Sequence, residues 1–374
     1  MTKKSITKKY NINGPINIIR LINDKKIVYI FGDIHNNLNE QSECIYDKNT
    51  MNINIDQFFR KIFKRNPNKK FDFFYEGFVD LDPIIDKNQQ NQFKYDFNYK
   101  TTKYFVQILK LVFNNIELVD NKIHTSKQFA NIRLHYFNFR NQLLHINYII
   151  NNRSNFLQLK SSTNYNNIIH TLEDYKKMII ELKIFIQSNK NSYINKIMSR
   201  YQNKNIQEII LQIFNNNVID LIDKILKLIT DTIHYIDNTP KLHNIFILIN
   251  EKYDIQKLIY INIILIDNYI KNVYLNISDI YLIRRILDKE YINNSIIYTG
   301  VSHMIYITYI LIKYFNFKIT HVANINKSLD DTEINQLIKS KNIIDYDDVH
   351  YLENYLWNNL NQCSNLFDFP DNLE

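Results

Sequence analysis

Short runs of consecutive apolar and β-branched residues recur along the chain, and each is bounded by polar or turn-forming residues. A run of this kind is typical of a strand that is buried on both faces of a sheet. The predicted strands are Lys26–Phe31, Phe71–Tyr75, Ile132–Phe137, Ser295–Thr299 and Phe317–Ala323.

Helical periodicity fills the segments between these runs. Apolar residues at helical spacing from Ile55 to Phe63 predict a helix with its N-cap at Asp56, and Tyr104–Phe113 predicts another. From about 165 to 290 apolar residues recur at i, i+3 and i+4 without a glycine, so this interval should be almost wholly helical. Strands that alternate with helices predict an α/β fold with a mostly parallel central sheet flanked by helices, carrying a long all-helical insertion or cap.

This pattern divides the chain into consecutive segments around one α/β core. The predicted segments are a basic N-terminal extension (1–25), a first part of the α/β core (26–160), a helical insertion or cap (161–290), a second part of the core (291–325) and an acidic C-terminal segment (326–374).

Glycine is almost missing from the chain, so the few that remain mark special backbone. A protein of average composition and this length would hold roughly 25 glycines, whereas this one holds 4. Gly32, Gly77 and Gly300 each lie at the end of a predicted strand. Tight turns and close packing at a strand end require a residue without Cβ, and these positions therefore indicate sharp turns at a sheet edge.

Charge and cysteine content narrow the class of protein. The formal net charge is +8, but it is spread along the chain and the C-terminal segment is acidic, so a nucleic-acid partner is not favoured. Cys44 and Cys363 are far apart and have no metal-ligand spacing, which indicates a reducing intracellular protein without a disulfide framework. Cys44 is expected to be a small buried hydrophobic residue. No signal peptide is evident, and Ile296–Phe315 is interrupted by Gly300, His303 and other polar residues, so no membrane span is predicted.

Polar side chains follow four of the predicted strands. His35, Glu76, Arg140 and His303 each come directly after a strand or end it. If the strands are parallel, all four groups meet at the carboxyl edge of one sheet, where open α/β sheets bind their ligands.

Such a set supports two kinds of chemistry. His35, Glu76 and His303 are a ligand set for a catalytic divalent metal such as Mn, Zn or Co, which would acidify a bound water. Alternatively, a histidine–carboxylate pair activates water directly as a general base. Asp33 is a further candidate ligand, although the role of a turn residue is favoured for it. Ser302 is the expected N-cap of the helix that carries His303.

Two GxxH motifs, Gly32 to His35 and Gly300 to His303, together with Glu76 after the second strand, resemble the TIKI/TraB and erythromycin esterase/ChaN-like superfamily. The resemblance implies an α/β core with helical elaboration and a metal or catalytic centre at His35, Glu76 and His303. Arg140 is a looser match to a basic residue in the middle of these chains. The resemblance also implies a hydrolase that cleaves an ester or amide in a small-molecule or peptide substrate. TIKI members are membrane-associated metalloproteases, and no anchor is evident in this sequence. The composition also resembles that of uncharacterised proteins from giant DNA viruses of amoebae.

Two other functions remain open. The run from Tyr29 to His35 matches the first strand and Asp-x-His pair of calcineurin-like metallophosphoesterases, but the GDxxD and GNH[DE] blocks of those enzymes are missing. The other alternative is a non-catalytic viral structural or scaffold protein that keeps a degenerate site.

Overall fold

The computed structural model describes two compact units. The described residues are 10–34, 44, 50–78, 108–109, 111–113, 116–119, 122–125, 129–138, 153–162, 164–187, 195, 198–199, 201–238, 245–324, 330–340, 350–357 and 361–373. One unit, the α/β unit, comprises residues up to Asn138 and those from Tyr281 onward, and the other, the helical unit, spans Phe139–Ile280. The helical unit therefore begins and ends earlier than the predicted insertion at 161–290.

A six-stranded sheet forms the centre of the α/β unit. Its strands in chain order are β2 (Asn17–Ile22), β3 (Ile27–Asp33), β5 (Phe71–Phe78), β8 (Ile132–Asn138), β9 (Asn294–Gly300) and β10 (Lys318–Val322). Their spatial order is β10-β2-β3-β9-β5-β8. β2 is antiparallel to both of its neighbours, while β3, β9, β5 and β8 pair in parallel. The predicted α/β class with a mostly parallel sheet is confirmed, and all five predicted strands belong to this sheet.

Within the segment predicted as a basic N-terminal extension (1–25), the described residues from Tyr10 onward contribute two strands to the α/β unit. β2 lies in this central sheet, and β1 (Tyr10–Asn13) joins a separate three-stranded sheet with β4 (Met51–Asn54) and β11 (Cys363–Asn365). Asparagine amides connect β1 to β4, since Asn11 donates to Asn52 at 3.1 Å and Asn13 donates to Asn54 at 3.1 Å. A hairpin of β6 (Ile116–Val119) and β7 (Lys122–Thr125) forms the remaining described sheet.

The helix α1 (Ile55–Arg65) covers one face of the central sheet with aromatic residues. Phe59 packs edge-on against Phe31 of β3 and Phe73 of β5, with 5.0 Å between the ring centres in each pair. The N-cap of α1 is Asn54 and not Asp56, which lies in the first turn. Burial raises the pKa of Asp56. In the helix predicted at 104–113, residues 108–109 and 111–113 are helical and the others lie outside the described residues.

The helix α7 (Val301–Phe315) follows β9 directly and is buried along most of its length. Its N-cap is Gly300 and not Ser302, which lies in the first turn, because the helix begins immediately after the strand. α7 passes so close to β3 that a Cβ built on Gly32 would lie 2.5 Å from Met304 Sδ. A side chain at position 32 would therefore require Met304 to move.

The helical unit contains only helices among its described residues, as predicted for the middle of the chain. They are α2 (Arg153–Gln158), α3 (Tyr165–Gln187), α4 (Lys204–Phe214), α5 (Asp220–Asn238) and most of α6 (Ile245–Asp288). A 3-10 turn at Leu159–Ser161 follows α2, and a π-helical turn at Asn215–Ile219 joins α4 to α5. The last residues of α6, from Tyr281, belong to the α/β unit. Whether the helical unit covers the site stays a prediction.

The C-terminal segment adds α8 (Asp331–Ser340), α9 (His350–Leu356), β11 and a 3-10 turn at Asp371–Leu373 to the α/β unit. A disulfide joins Cys44 to Cys363 of β11, with 5.0 Å between their Cα atoms. The expectation that Cys44 is an unpaired buried hydrophobic residue is wrong, because folding brings two cysteines together that are 319 residues apart. Within the part of the chain that the structure describes, no helix is both long and apolar enough to cross a membrane.

Candidate functional site

The carboxyl ends of β3, β9 and β5 lie side by side, and this edge carries the candidate site. In the register of the parallel pairs, Asp33 is opposite Gly300 and Tyr75 is opposite Tyr298. β9 is the middle strand of the three, so residues from both neighbouring strands reach its end. This is the edge at which open parallel sheets bind ligands.

Glu76 on β5 is buried and is fixed by two donors from β9. Its Oε2 accepts hydrogen bonds from the Thr299 hydroxyl at 3.0 Å and from the Gly300 backbone N–H at 2.7 Å. Gly300 is the N-cap of α7, so the carboxylate lies at the positive end of that helix. The two bonds and the helix dipole stabilise a negative charge that burial alone would disfavour.

His303 is in the first turn of α7 and faces the same carboxylate. Its Nε2 lies 3.5 Å from Glu76 Oε1, and both side chains are buried. The ring also meets Phe137 of β8 edge-on, with 5.9 Å between the ring centres. The two predicted site residues from distant parts of the sequence, Glu76 and His303, are therefore brought together.

Asp33 ends β3 on a different face from Glu76. Side chains alternate along a strand, so Asp33 shares the α1 face with Tyr29 and Phe31, whereas Glu76 points away from the face of Tyr75. The Asp33 carboxylate is buried and accepts a hydrogen bond from the Tyr298 hydroxyl of β9. This arrangement agrees with a structural role for Asp33 at the strand end.

His35 and Arg140 lie outside the described residues. Among the residues that are described, no group of three or more His, Cys, Asp or Glu side chains is arranged to hold a metal ion. A metal centre with three protein ligands that includes Glu76 and His303 would take its third ligand from outside the described residues, where His35 is the predicted candidate.

Sequence reasoning missed Tyr298 and Thr299 as partners of the two carboxylates. Their only signal was their position immediately before Gly300 in a predicted strand. Which carboxylate each one contacts depends on the pairing of β9 with β3 on one side and β5 on the other.

A second His–carboxylate pair, with a buried aspartate and a partly buried histidine, lies near the other end of β5. Asp72 accepts from Arg133 at 2.8 and 2.6 Å and from His135 Nε2 at 2.8 Å, and Arg285 of α6 donates to His135 Nδ1 at 2.9 Å. Burial raises the pKa of Asp72, but the hydrogen bonds from Arg133 and His135 outweigh it, so the net pKa lies below its usual value. Burial lowers the pKa of His135, with Arg285 acting in the same direction. His135 is therefore neutral, with its proton on Nε2.

A family profile described as a family of unknown function, DUF5847, matches residues 10–193 and 166–374. The chain belongs to this family. Similar full-length relatives come from Acanthamoeba polyphaga mimivirus. Uncharacterized protein R160 is 28% identical over 97% of this chain and 97% of its own length, and uncharacterized protein R161 is 25% identical over 97% and 98%. No solved structure gives a significant match. The chain is thus similar to uncharacterised proteins of a giant virus, in agreement with the resemblance in composition.

Proposed function

We propose that the protein is a hydrolase in which Glu76 and His303 activate the water that attacks an ester or amide substrate. The observation that carries this proposal is the contact between the two side chains, 3.5 Å apart at the carboxyl edge of the parallel strands. His35 is the third proposed member of the centre, and Arg140 a further candidate. The resemblance to the TIKI/TraB and erythromycin esterase/ChaN-like superfamily supports the same reaction class.

The environment of the pair suits this chemistry. Glu76 has one oxygen engaged by Thr299 and Gly300, so the carboxylate is held in one orientation with Oε1 toward His303. Both side chains are shielded from bulk water. Charge interactions are stronger in such surroundings, and fixed donors need no reorganisation during the reaction.

The spacing of the pair also fits a divalent metal. A distance of 3.5 Å is longer than the 2.7–2.9 Å of a charge-assisted hydrogen bond. It is close to the separation of about 3.3 Å between two ligands that each lie about 2.0–2.1 Å from one tetrahedral ion. Glu76 and His303, with His35 as the third ligand, would hold such an ion. When bound, the metal supplies a water of lowered pKa.

Activity on model substrates tests the proposal. Wild-type protein is assayed on nitrophenyl esters and acyl nitroanilides, with and without Mn, Zn or Co, beside Glu76→Gln, His303→Ala, His35→Ala and the double variant of Glu76 and His303. Each single substitution should lower kcat/KM by about 10²–10⁴-fold. The kcat/KM of the double variant should be no lower than that of the less active single variant, because the effects of residues that act as one catalytic unit are not additive.

His135→Gln is the matched control, since it disrupts another histidine–carboxylate pair on β5 and β8. It should lower stability and leave kcat/KM unchanged. Elemental analysis distinguishes the two versions of the centre, because bound metal should fall in the Glu76 and His303 variants only if the metal is part of it. A double variant that hydrolyses the substrates as fast as the wild type contradicts the proposal.

A further inference from the structure

The central strand β9 holds the carboxylates of both neighbouring strands through consecutive residues. Tyr298 donates to Asp33 of β3 on the α1 face, and Thr299 donates to Glu76 of β5 on the opposite face. All four side chains are buried. Thr299 is the donor that contacts Glu76 of the proposed centre.

We infer that Thr299 is a positioning residue that fixes the orientation in which the Glu76 carboxylate faces His303, an inference that rests on the proposed function. A carboxylate has two equivalent oxygens and rotates about its last side-chain bond. The Thr299 hydroxyl and the Gly300 N–H both bind Oε2, from adjacent residues of one strand end. Two donors on one oxygen fix the plane of the carboxylate. The other oxygen, Oε1, is then directed toward Nε2 of His303.

Of the two donors from β9, the Gly300 N–H by itself does not define the rotation of the carboxylate about its last side-chain bond. A single donor at 2.7 Å defines a distance but not the plane of the group. The second donor at 3.0 Å defines that plane. Without it, Glu76 should sample orientations in which Oε1 no longer faces the imidazole.

Three substitutions separate positioning from packing. Thr299→Val keeps the shape of the side chain and removes the hydroxyl, while Thr299→Ser keeps the hydroxyl and removes a methyl group. Thr308→Val on α7 is the matched control, because Thr308 is an equally buried threonine whose hydroxyl makes no hydrogen bond within the described part of the protein.

The readout is the ring nitrogen resonances of His303 in ¹⁵N-histidine-labelled full-length protein, assigned with His303→Ala. Thr299→Val should shift or broaden the His303 signal, whereas Thr299→Ser and Thr308→Val should leave it as in the wild type. For hydrolysis of the model esters, Thr299→Val should lower kcat about tenfold with little change in KM, as expected for the loss of one hydrogen bond to a charged group. Thr299→Ser, which keeps the hydroxyl, should retain the kcat of the wild type.

Unchanged His303 signals in Thr299→Val, or a Thr299→Ser protein that behaves like the valine variant, would overturn the inference. The proposed function fails separately, if Glu76→Gln retains hydrolysis. The two outcomes are independent. A change in the His303 signal of Thr299→Val would support the positioning role even in a protein without hydrolase activity, and an unchanged signal would exclude that role even in an active hydrolase.

Discussion

Gly32 shows how one missing side chain sets the distance between the sheet and the helix that carries His303. A Cβ at this position would lie 2.5 Å from Met304 Sδ and 3.4 Å from Met304 Cβ. The close atom is near the end of a flexible side chain, so a rotation of Met304 can relieve part of the overlap. The first GxxH glycine thus has a packing role that is independent of any chemistry of His35.

Gly32→Ala should lower the free energy of unfolding by about 1–3 kcal/mol because it overfills this contact. In a Met304→Ala background, which is itself destabilised, the same change should be neutral or slightly stabilising, since alanine restricts the unfolded chain. Urea denaturation of the four proteins measures the coupling. Additive effects would show that Met304 is not what excludes a side chain at position 32.

At the scale of elements, His135 connects β8 to β5 and α6. It faces Asp72 of β5, Arg133 of its own strand and Arg285 of α6. Protonation of His135 would replace the hydrogen bond from Arg285 by a repulsion between two cations. Protonation would therefore weaken the contact of β8 with α6, while the hydrogen bond from His135 to Asp72 of β5 would remain.

Because its pKa is lowered in the folded protein, His135 should make stability depend on pH. Below about pH 6.5, the ordinary value for histidine, the unfolded chain binds a proton that folded His135 does not take up until lower pH. Stability should therefore fall with acidification through this window. The lowered pKa of Asp72 gives a further loss below about pH 4, as pH falls toward its folded pKa.

Urea denaturation at pH 7.5 and pH 5.5 tests the contribution of His135. His135→Asn should reduce the difference in unfolding free energy between the two pH values. His170→Asn is the control, because His170 is an exposed histidine on a different element, α3. An equal pH dependence in His135→Asn and wild type would show that other groups cause it.

The elements also show what the sequence could and could not predict. Strands with continuous apolar runs, such as β3 and β9, were identifiable because burial on both faces leaves few polar positions. β1 and β4 were not, because asparagines interrupt their apolar residues, and the hydrogen bonds between those asparagines require the tertiary register. Glu76 and His303 could be grouped from their places at strand ends, whereas the role of Thr299 depended on its register with β5.

For the whole molecule, the disulfide between Cys44 and Cys363 links the segment after β3 to the C-terminal strand β11. No spacing rule could predict it, since it depends on β1 pairing with β11 on one side and β4 on the other. Cys44 is also held by hydrogen bonds, as its N–H donates to Asn13 and its carbonyl accepts from Asn52. The cross-link therefore reinforces contacts that exist without it.

Cys44→Ser with Cys363→Ser should destabilise the α/β unit by about 2–5 kcal/mol, because the cross-link restricts a very long loop of the unfolded chain. Urea denaturation with and without a dithiol reductant measures this. The reductant should lower the stability of the wild type to that of the double variant and should have no effect on the variant. A wild-type protein whose stability is insensitive to a reductant that fully breaks the bond would contradict the prediction.

The position of β9 between β3 and β5 determines when the protein can fold during its synthesis. β5 ends at Phe78 and β9 begins at Asn294, so about 200 residues are made before the middle strand exists. At roughly 5–20 residues per second the ribosome takes about 10–40 s over them. During that time the facing edges of β3 and β5 lack the strand with which they pair in the native sheet, and unpaired strand edges of this kind favour aggregation.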